Sequence, residues 1–139
     1  MKPLVRATVV AIALCTCALA QQTSTISDED TNVIHVEKMY YPPVAQSGHT
    51  EGVVVVRGKL DADGKVVEAE ALSGSEFLVP QSVDNAKKWI FKPNSHHAVI
   101  IVYNYRVMGT CRTNAEIAQF RFHPPNFASI TGCQKLPMP

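Results

Sequence analysis

The chain has 139 residues, 46% of them hydrophobic, with thirteen Lys and Arg against twelve Asp and Glu and a formal net charge of +1. That length suits one domain and that composition an ordinary globular one. The near-neutral balance excludes the dense basic face of a nucleic-acid binder and the polybasic patch of a membrane-surface protein.

Lys2 and Arg6 form a short basic head, and Ala7 to Leu19 is an uncharged, mostly apolar run. Ala18-Leu19-Ala20 then offers small residues where a signal peptidase reads. The run is shorter than the ~20 residues of a membrane span. The expectation is therefore a cleaved signal over residues 1–20, a mature start at Gln21 and a periplasmic or secreted protein. An uncleaved anchor is the alternative; Leu14 and Thr16 are poor residues to precede a lipidated Cys15 or Cys17. Cleavage removes two of the thirteen basic residues, leaving eleven against twelve acidic, net −1. Cys15 and Cys17 leave with the signal. Cys111 and Cys133 remain, an even number in an oxidising compartment, which favours a disulfide over two free thiols or half of a metal site. Residues 21–39 read as a flexible tail: Gln21 to Asp30 is polar, acidic and without periodicity, although Val33 to Met39 alternates loosely, as a short lead-in strand would.

From Tyr41 the signals sharpen. Pro42 and Pro43 fix their own backbone angles and push Tyr41 toward an extended conformation; one or two helical turns then fit before Gly48. Val53 to Leu60 is predicted as a strand on its run of β-branched residues. Val54, Val56 and Leu60 form its core face, because Arg57 and Lys59 occupy the other. "DADGK", residues 61–65, is a hairpin turn. Lys65 to Leu72 is the returning strand, with Val67, Ala69 and Ala71 on one face and Glu68 and Glu70 on the other. Ser73-Gly74-Ser75 breaks it. Pro80 to Ile90 reads as a helix, with Pro80 in its first turn, Val79, Val83, Ala86 and Ile90 at helical spacing, Lys87 and Lys88 near its C-terminal end, and Pro93 as its stop. Ala98 to Met108, "AVIIVYNYRVM", is a long strand apolar on both faces over its first half. Such a strand is covered on both sides or waits for a partner. The order implies an α+β fold: a two-layer sandwich in which a small antiparallel sheet (β-β-α-β core) carries one main helix.

"YPPVAQSGHTEGVVVV", "DADGKV", "SGS" and above all "AKKWIFKP" resemble the C-terminal domain of TonB-type energy transducers. The matching elements are Tyr41-Pro42, Ala45, Glu51-Gly52, Asp61 to Val66, Ser73-Gly74 and Trp89-Ile90-Phe91-Lys92-Pro93, in order and at compatible spacing over residues 40–108. No single piece is specific; the ordered set is. The resemblance implies a periplasmic binding module that captures an extended peptide, the TonB box of an outer-membrane receptor, by adding it as a strand to the sheet edge. An edge strand offers unpaired N–H and C=O groups that a peptide satisfies with little demand on its sequence. Carried onto this chain, the docking edge is Val99 to Tyr105, with Val99, Ile101, Tyr103 and Tyr105 as partner-binding residues and Gln46 beside the incoming peptide.

Two features depart from that pattern. A transducer needs an uncleaved anchor and a long proline-rich spacer, whereas residues 21–39 contain no proline and span only ~60–70 Å fully extended. Residues 109–139 also run past the family domain. Ile117 to Phe122 and Phe127 to Thr131 read as short strands around Pro124-Pro125, in an extension that Cys111 and Cys133 staple into a loop. A strand from it is placed to occupy the edge at Val99 to Tyr105 or to replace the family's peptide.

Sites for chemistry do not assemble. His96 and His97 are adjacent and would point to opposite faces of a strand; with His35, His49 and His123 they read as solvent-exposed loop residues, and no metal is expected. Asp61 and Asp63 serve the turn, Glu68 and Glu70 a solvated face. No phosphate loop or nucleophile elbow occurs. Trp89 and Phe91 read as core, Tyr103 and Tyr105 as cross-strand packing or partner contact, and Arg121 as the outward residue of a strand. The expectation is a binding module without cofactor or catalysis, its partner an extended peptide of an outer-membrane receptor or envelope protein, with a dimer compatible; the alternative is a structural scaffold of the cell envelope.

Overall fold

The computed structural model describes residues 32–111 and 118–134; the expected signal and most of the expected tail lie outside them. The described elements run β1 (Val33–His35), α1 (Pro43–Ser47), β2 (Gly52–Leu60), β3 (Val66–Ser73), α2 (Val79–Ala86), β4 (Ile90–Phe91), β5 (Ala98–Thr110), β6 (Ala118–His123) and β7 (Phe127–Gln134). The fold is mixed α+β. A five-stranded sheet has the order β3-β2-β5-β7-β6, and β1 pairs with β4 in a separate ribbon.

The proline-rich entry is anchored at both ends. Pro43 opens α1, where a missing N–H costs nothing, and the buried Tyr41 donates its hydroxyl to the Thr50 carbonyl at 2.6 Å. β2 follows with strict alternation: Val54, Val56 and Leu60 are buried and Arg57 and Lys59 exposed. In the hairpin, Asp61 Oδ1 accepts from the backbone of Asp63 and Lys65, both at 2.9 Å. Gly64 sits at φ +80°, and a Cβ there would lie 1.7 Å from the Phe91 carbonyl oxygen. Only glycine fits that left-handed, close approach.

β3 departs from simple alternation. The ladder shifts between Lys59↔Glu68 and Leu60↔Val66, which makes Val67 the extra residue of a bulge. Val66 takes the buried place expected of Val67, and Val67 is half exposed. α2 is also shorter than the spacing predicts, ending at Ala86 rather than Ile90. The backbone beyond it has other partners: Phe91 N–H donates to Gly64 O at 2.8 Å and Lys92 N–H to Asn32 O at 2.7 Å, and Val33 pairs with Phe91. A continued helix would orphan those groups. The same pairing shortens the flexible tail expected over residues 21–39, since Val33–His35 is a paired strand and Met39 is buried in the core.

The core lies on one face of the five-stranded sheet, beneath α1, α2 and residues 86–91. Val54, Val56, Val99, Ile101, Tyr103, Tyr105, Ala128 and Ile130 project into it with Leu78, Trp89 and Phe91. Trp89 meets Phe91, Tyr103 and Phe122 at ring-centroid distances of 6.0, 5.9 and 5.6 Å. A buried polar knot crosses this apolar layer. Asn85 Oδ1 accepts from Trp89 Nε1 at 2.8 Å and from the Tyr103 hydroxyl at 3.0 Å, and Asn85 Nδ2 donates to Glu37 O at 2.9 Å. Ser82 Oγ lies 2.6 Å from the Tyr105 hydroxyl. Each polar tip that the aromatic residues bury is thereby satisfied.

The β2–β3 and β2–β5 pairs run antiparallel, and the C-terminal extension, whose direction the sequence left open, adds β7 parallel to β5. The disulfide explains the direction. Cys111 follows the last residue of β5, and Cys133 is the penultimate residue of β7. Their Cα atoms lie 5.1 Å apart. For two strands already paired side by side, a bridge between their C-terminal ends fits only the same direction.

Candidate docking edge

The margin expected to receive a peptide is the side of β5 that faces away from β2. Leu60 N–H donates to His97 O at 2.8 Å, and the β2–β5 register pairs Gly58 with Val99 and Val56 with Ile101. Odd-numbered residues of β5 therefore direct their backbone groups toward β2, and even-numbered residues direct theirs to the opposite margin.

That margin is filled along its length. Asn94 takes the first pair of groups: its Nδ2 donates to Ala98 O at 2.8 Å, and its Oδ1 accepts from Ala98 N–H at 3.3 Å. Asn126 takes the next, Nδ2 donating to Ile100 O at 2.9 Å and the main-chain carbonyl accepting from Val102 N–H at 3.0 Å. From there β7 continues as a parallel strand, Val102 against Phe127 through Thr110 against Gln134. Cys111 N–H closes the far end on Gln134 O at 2.8 Å. β5 is thus an interior strand, with β2 on one side and the chain's own C-terminal segment on the other.

The five residues expected at the docking site divide accordingly. Val99, Ile101, Tyr103 and Tyr105 are fully buried, their side chains projecting into the core. Burial pushes the hydroxyl pKa values of Tyr103 and Tyr105 far above the ordinary tyrosine value; Tyr105 adds to the rise at Tyr103, and at Tyr105 the Ser82 hydrogen bond offsets part of the rise while Tyr41 adds to it. Tyr41, whose ring stands edge-on to Tyr105 at 5.3 Å, is pushed up to about 12, first by desolvation and then by the Glu51 carboxylate. Gln46 does stand beside an extended strand, and that strand is β7: Gln46 Nε2 donates to the Cys133 carbonyl. One residue along, Gly132 lies so close to Tyr41 that a Cβ would meet its ring at 2.9 Å. The Cys111–Cys133 disulfide expected from the sequence is formed.

The residues that close the margin were missed from the sequence. Asn94 and Asn126 each follow a proline and each stand just ahead of a strand, Pro93-Asn94 before β5 and Pro125-Asn126 before β7, and both clip β5. A proline-asparagine turn next to a strand is the signal that pointed there, since asparagine side chains hydrogen-bond nearby backbone.

Among the described residues the rims of the five-stranded sheet are β3 and β6. On the sheet face away from the core, Lys59 meets Glu68 at 3.2 Å and Arg57 meets Glu70 at 3.5 Å; both pairs are exposed and worth ~0–1 kcal/mol each. Arg121, on β6, is exposed as expected. His96 and His97 are exposed, His97 with φ +50°. Among the described residues no three His, Cys, Asp or Glu side chains gather as metal ligands, and no helix is long and apolar enough to cross a membrane.

The family model described as Gram-negative bacterial TonB protein C-terminal matches residues 37–107. No curated protein and no solved structure matches the chain significantly.

Proposed function

Because this chain belongs to the family of Gram-negative bacterial TonB protein C-terminal domains, we propose that it is a protein-binding module that takes up extended segments of outer-membrane receptors or envelope proteins by strand addition. The family's domain is periplasmic and takes part in interactions of the envelope. The finer reading rests above all on the strand beside Gln46. The place where a peptide would add to β5 already holds an extended segment, laid along β5 in regular register and touched by Gln46. This sheet is therefore built to accept a strand at that margin, and β7 supplies it from within the chain.

β7 is not an exchangeable stand-in. Ala128 and Ile130 are fully buried, and burying one large aliphatic side chain contributes ~1.5–3 kcal/mol. Closing the loop between Cys111 and Cys133, 22 residues apart, adds about 3 kcal/mol in the chain-entropy account. An incoming peptide would have to replace that burial, while the Cys111–Cys133 bridge keeps β7 tethered beside the margin it would vacate. Uptake of a partner strand therefore takes place at a rim other than β5, and needs no catalysis, metal or cofactor.

The filled margin also favours a second reading, an envelope scaffold that keeps the fold and has given up peptide capture. Isothermal titration with peptides spanning the TonB boxes of outer-membrane receptors separates the two. Saturable binding of the boxes and not of scrambled sequences is expected of the binder; absence of binding across the panel removes it and leaves the scaffold.

A further inference from the structure

We infer that the receptive rim is the outer margin of β6, and that it takes an extended segment carrying a carboxylate opposite Arg121. This rests on the strand-addition reading and names where and with what chemistry that addition occurs.

The backbone direction on β6 follows from the ladder. Val102 N–H is bonded to Asn126 O and Val102 is paired with Phe127, so even-numbered residues of β7 serve β5 and odd-numbered ones serve β6. The β6–β7 register pairs His123 with Phe127, Arg121 with Ser129 and Gln119 with Thr131. In an antiparallel ladder those become the hydrogen-bonded pairs. The N–H and C=O groups of Ala118, Phe120 and Phe122 then point away from β7, toward a side where no strand pairs among the described residues.

Two properties single out this rim over β3. The β6–β7 ladder runs through six consecutive pairs without a shift, whereas the β2–β3 ladder shifts twice. Bulges of that kind spoil an edge as a template. The charges differ as well. Glu68 and Glu70 on β3 are already matched by Lys59 and Arg57. Arg121 has no carboxylate within ion-pair distance among the described residues, and its cross-strand neighbour is Ser129, whose hydroxyl lies 3.2 Å from His123. β6 is meanwhile held rigidly, because Phe120 and Phe122 pack on the core and Phe122 stands edge-on to Trp89.

A strand added to β6 would bond to Phe120 and Phe122, which places Arg121 in a non-hydrogen-bonded pair, the closer of the two kinds of cross-strand pair. A Glu or Asp at that position supplies the missing countercharge. A second copy of this chain fits less well: antiparallel pairing centred on Phe120 sets Arg121 opposite Gln119 of the other copy and leaves the guanidinium unmatched.

The test uses the full chain, labelled with nitrogen-15, and two blocked synthetic peptides, Thr-Val-Thr-Glu-Thr-Val-Thr and the same sequence with Lys at its centre. The Glu peptide is expected to shift and protect the Phe120 and Phe122 amides and to leave those of Val67, Ala69 and Ala71 unmoved. Arg121→Glu should weaken its binding on the order of tenfold and turn the preference to the Lys peptide. Changes confined to the β3 rim, equal binding of the two peptides, or a β6-mediated dimer in sedimentation before any peptide is added would each overturn the proposal. Receptor-box peptides that bind while the β6 amides stay still would leave the strand-addition reading standing and remove this one; failure of the boxes and of both synthetic peptides would remove both.

Discussion

Replacing Ile130 by Ala tests whether β7 belongs to the core or merely leans on it. Ile130 is fully buried and lies between Tyr105 on β5 and Phe120 on β6 in the cross-strand register. The substitution removes three carbons, about 2.4 kcal/mol of transfer free energy at ~0.8 kcal/mol each. It also leaves a void that two hydrogen-bonded neighbours cannot readily close, which raises the expected loss to about 3 kcal/mol, within the ~2–5 kcal/mol usual for such truncations. Urea unfolding followed by the fluorescence of Trp89, the chain's one tryptophan, should show the midpoint falling with the slope unchanged. Thr131→Val, on the opposite face of the same strand, should stay within ~0.5 kcal/mol of the parent. If Ile130→Ala costs no more than that control, β7 is not part of the core, and the reason for excluding peptides from β5 disappears.

Three further outcomes are expected. Replacing both Cys111 and Cys133 by Ser should cost about 3 kcal/mol in the same unfolding assay yet leave the protein folded, because the β5–β7 ladder and the burial of Ile130 remain; an unfolded double variant would make the disulfide, not the ladder, what holds β7. Asn85→Leu keeps roughly the volume but strips the partners from Trp89 Nε1, the Tyr103 hydroxyl and Glu37 O, and should cost about 3 kcal/mol; a neutral result would show that the buried knot contributes nothing. Stability should also fall in alkali. The folded protein holds the hydroxyl protons of Tyr41, Tyr103 and Tyr105 more tightly than the unfolded chain does, so their contribution is complete below the ordinary tyrosine pKa of ~10 and is lost as pH rises above it. For Tyr41 the loss runs to about pH 12. The phenolate absorbance of these three tyrosines should appear together with unfolding; their free titration in a still-folded protein would contradict the burial.

What the sequence disclosed was local and periodic. The alternation of Val54, Val56 and Leu60 gave the core face of β2, the Asp-Gly pair gave the hairpin, and two cysteines gave a disulfide that the fold contains. Its reading went astray where a distant partner decided the outcome. Ile90 sits at helical spacing, yet the groups beside it bond to Gly64 and Asn32, which no window around α2 reveals. Val67 and Val66 are indistinguishable by composition, and the bulge chose between them. The state of the candidate edge was left open for a related reason. The apolar pattern of β5 says that both faces are covered, but a face is not a margin, and nothing in residues 98–108 tells which strand takes the hydrogen bonds at their side. That information sits in Asn94, Asn126 and β7. The sequence offered the extension as one possible occupant, and only its register with β5 identifies it.

Hydrogen exchange of the β5 amides bears most directly on the claim that this chain fills its own strand-accepting margin. The Val102, Asn104 and Arg106 amides, which face β7, should exchange as slowly as those of Ile101 and Tyr103, which face β2, while the outward Phe120 and Phe122 amides of β6 exchange fast. Rapid exchange at Val102, Asn104 and Arg106 alongside protected Ile101 and Tyr103 would mean that the margin is open in solution, and the account would be wrong.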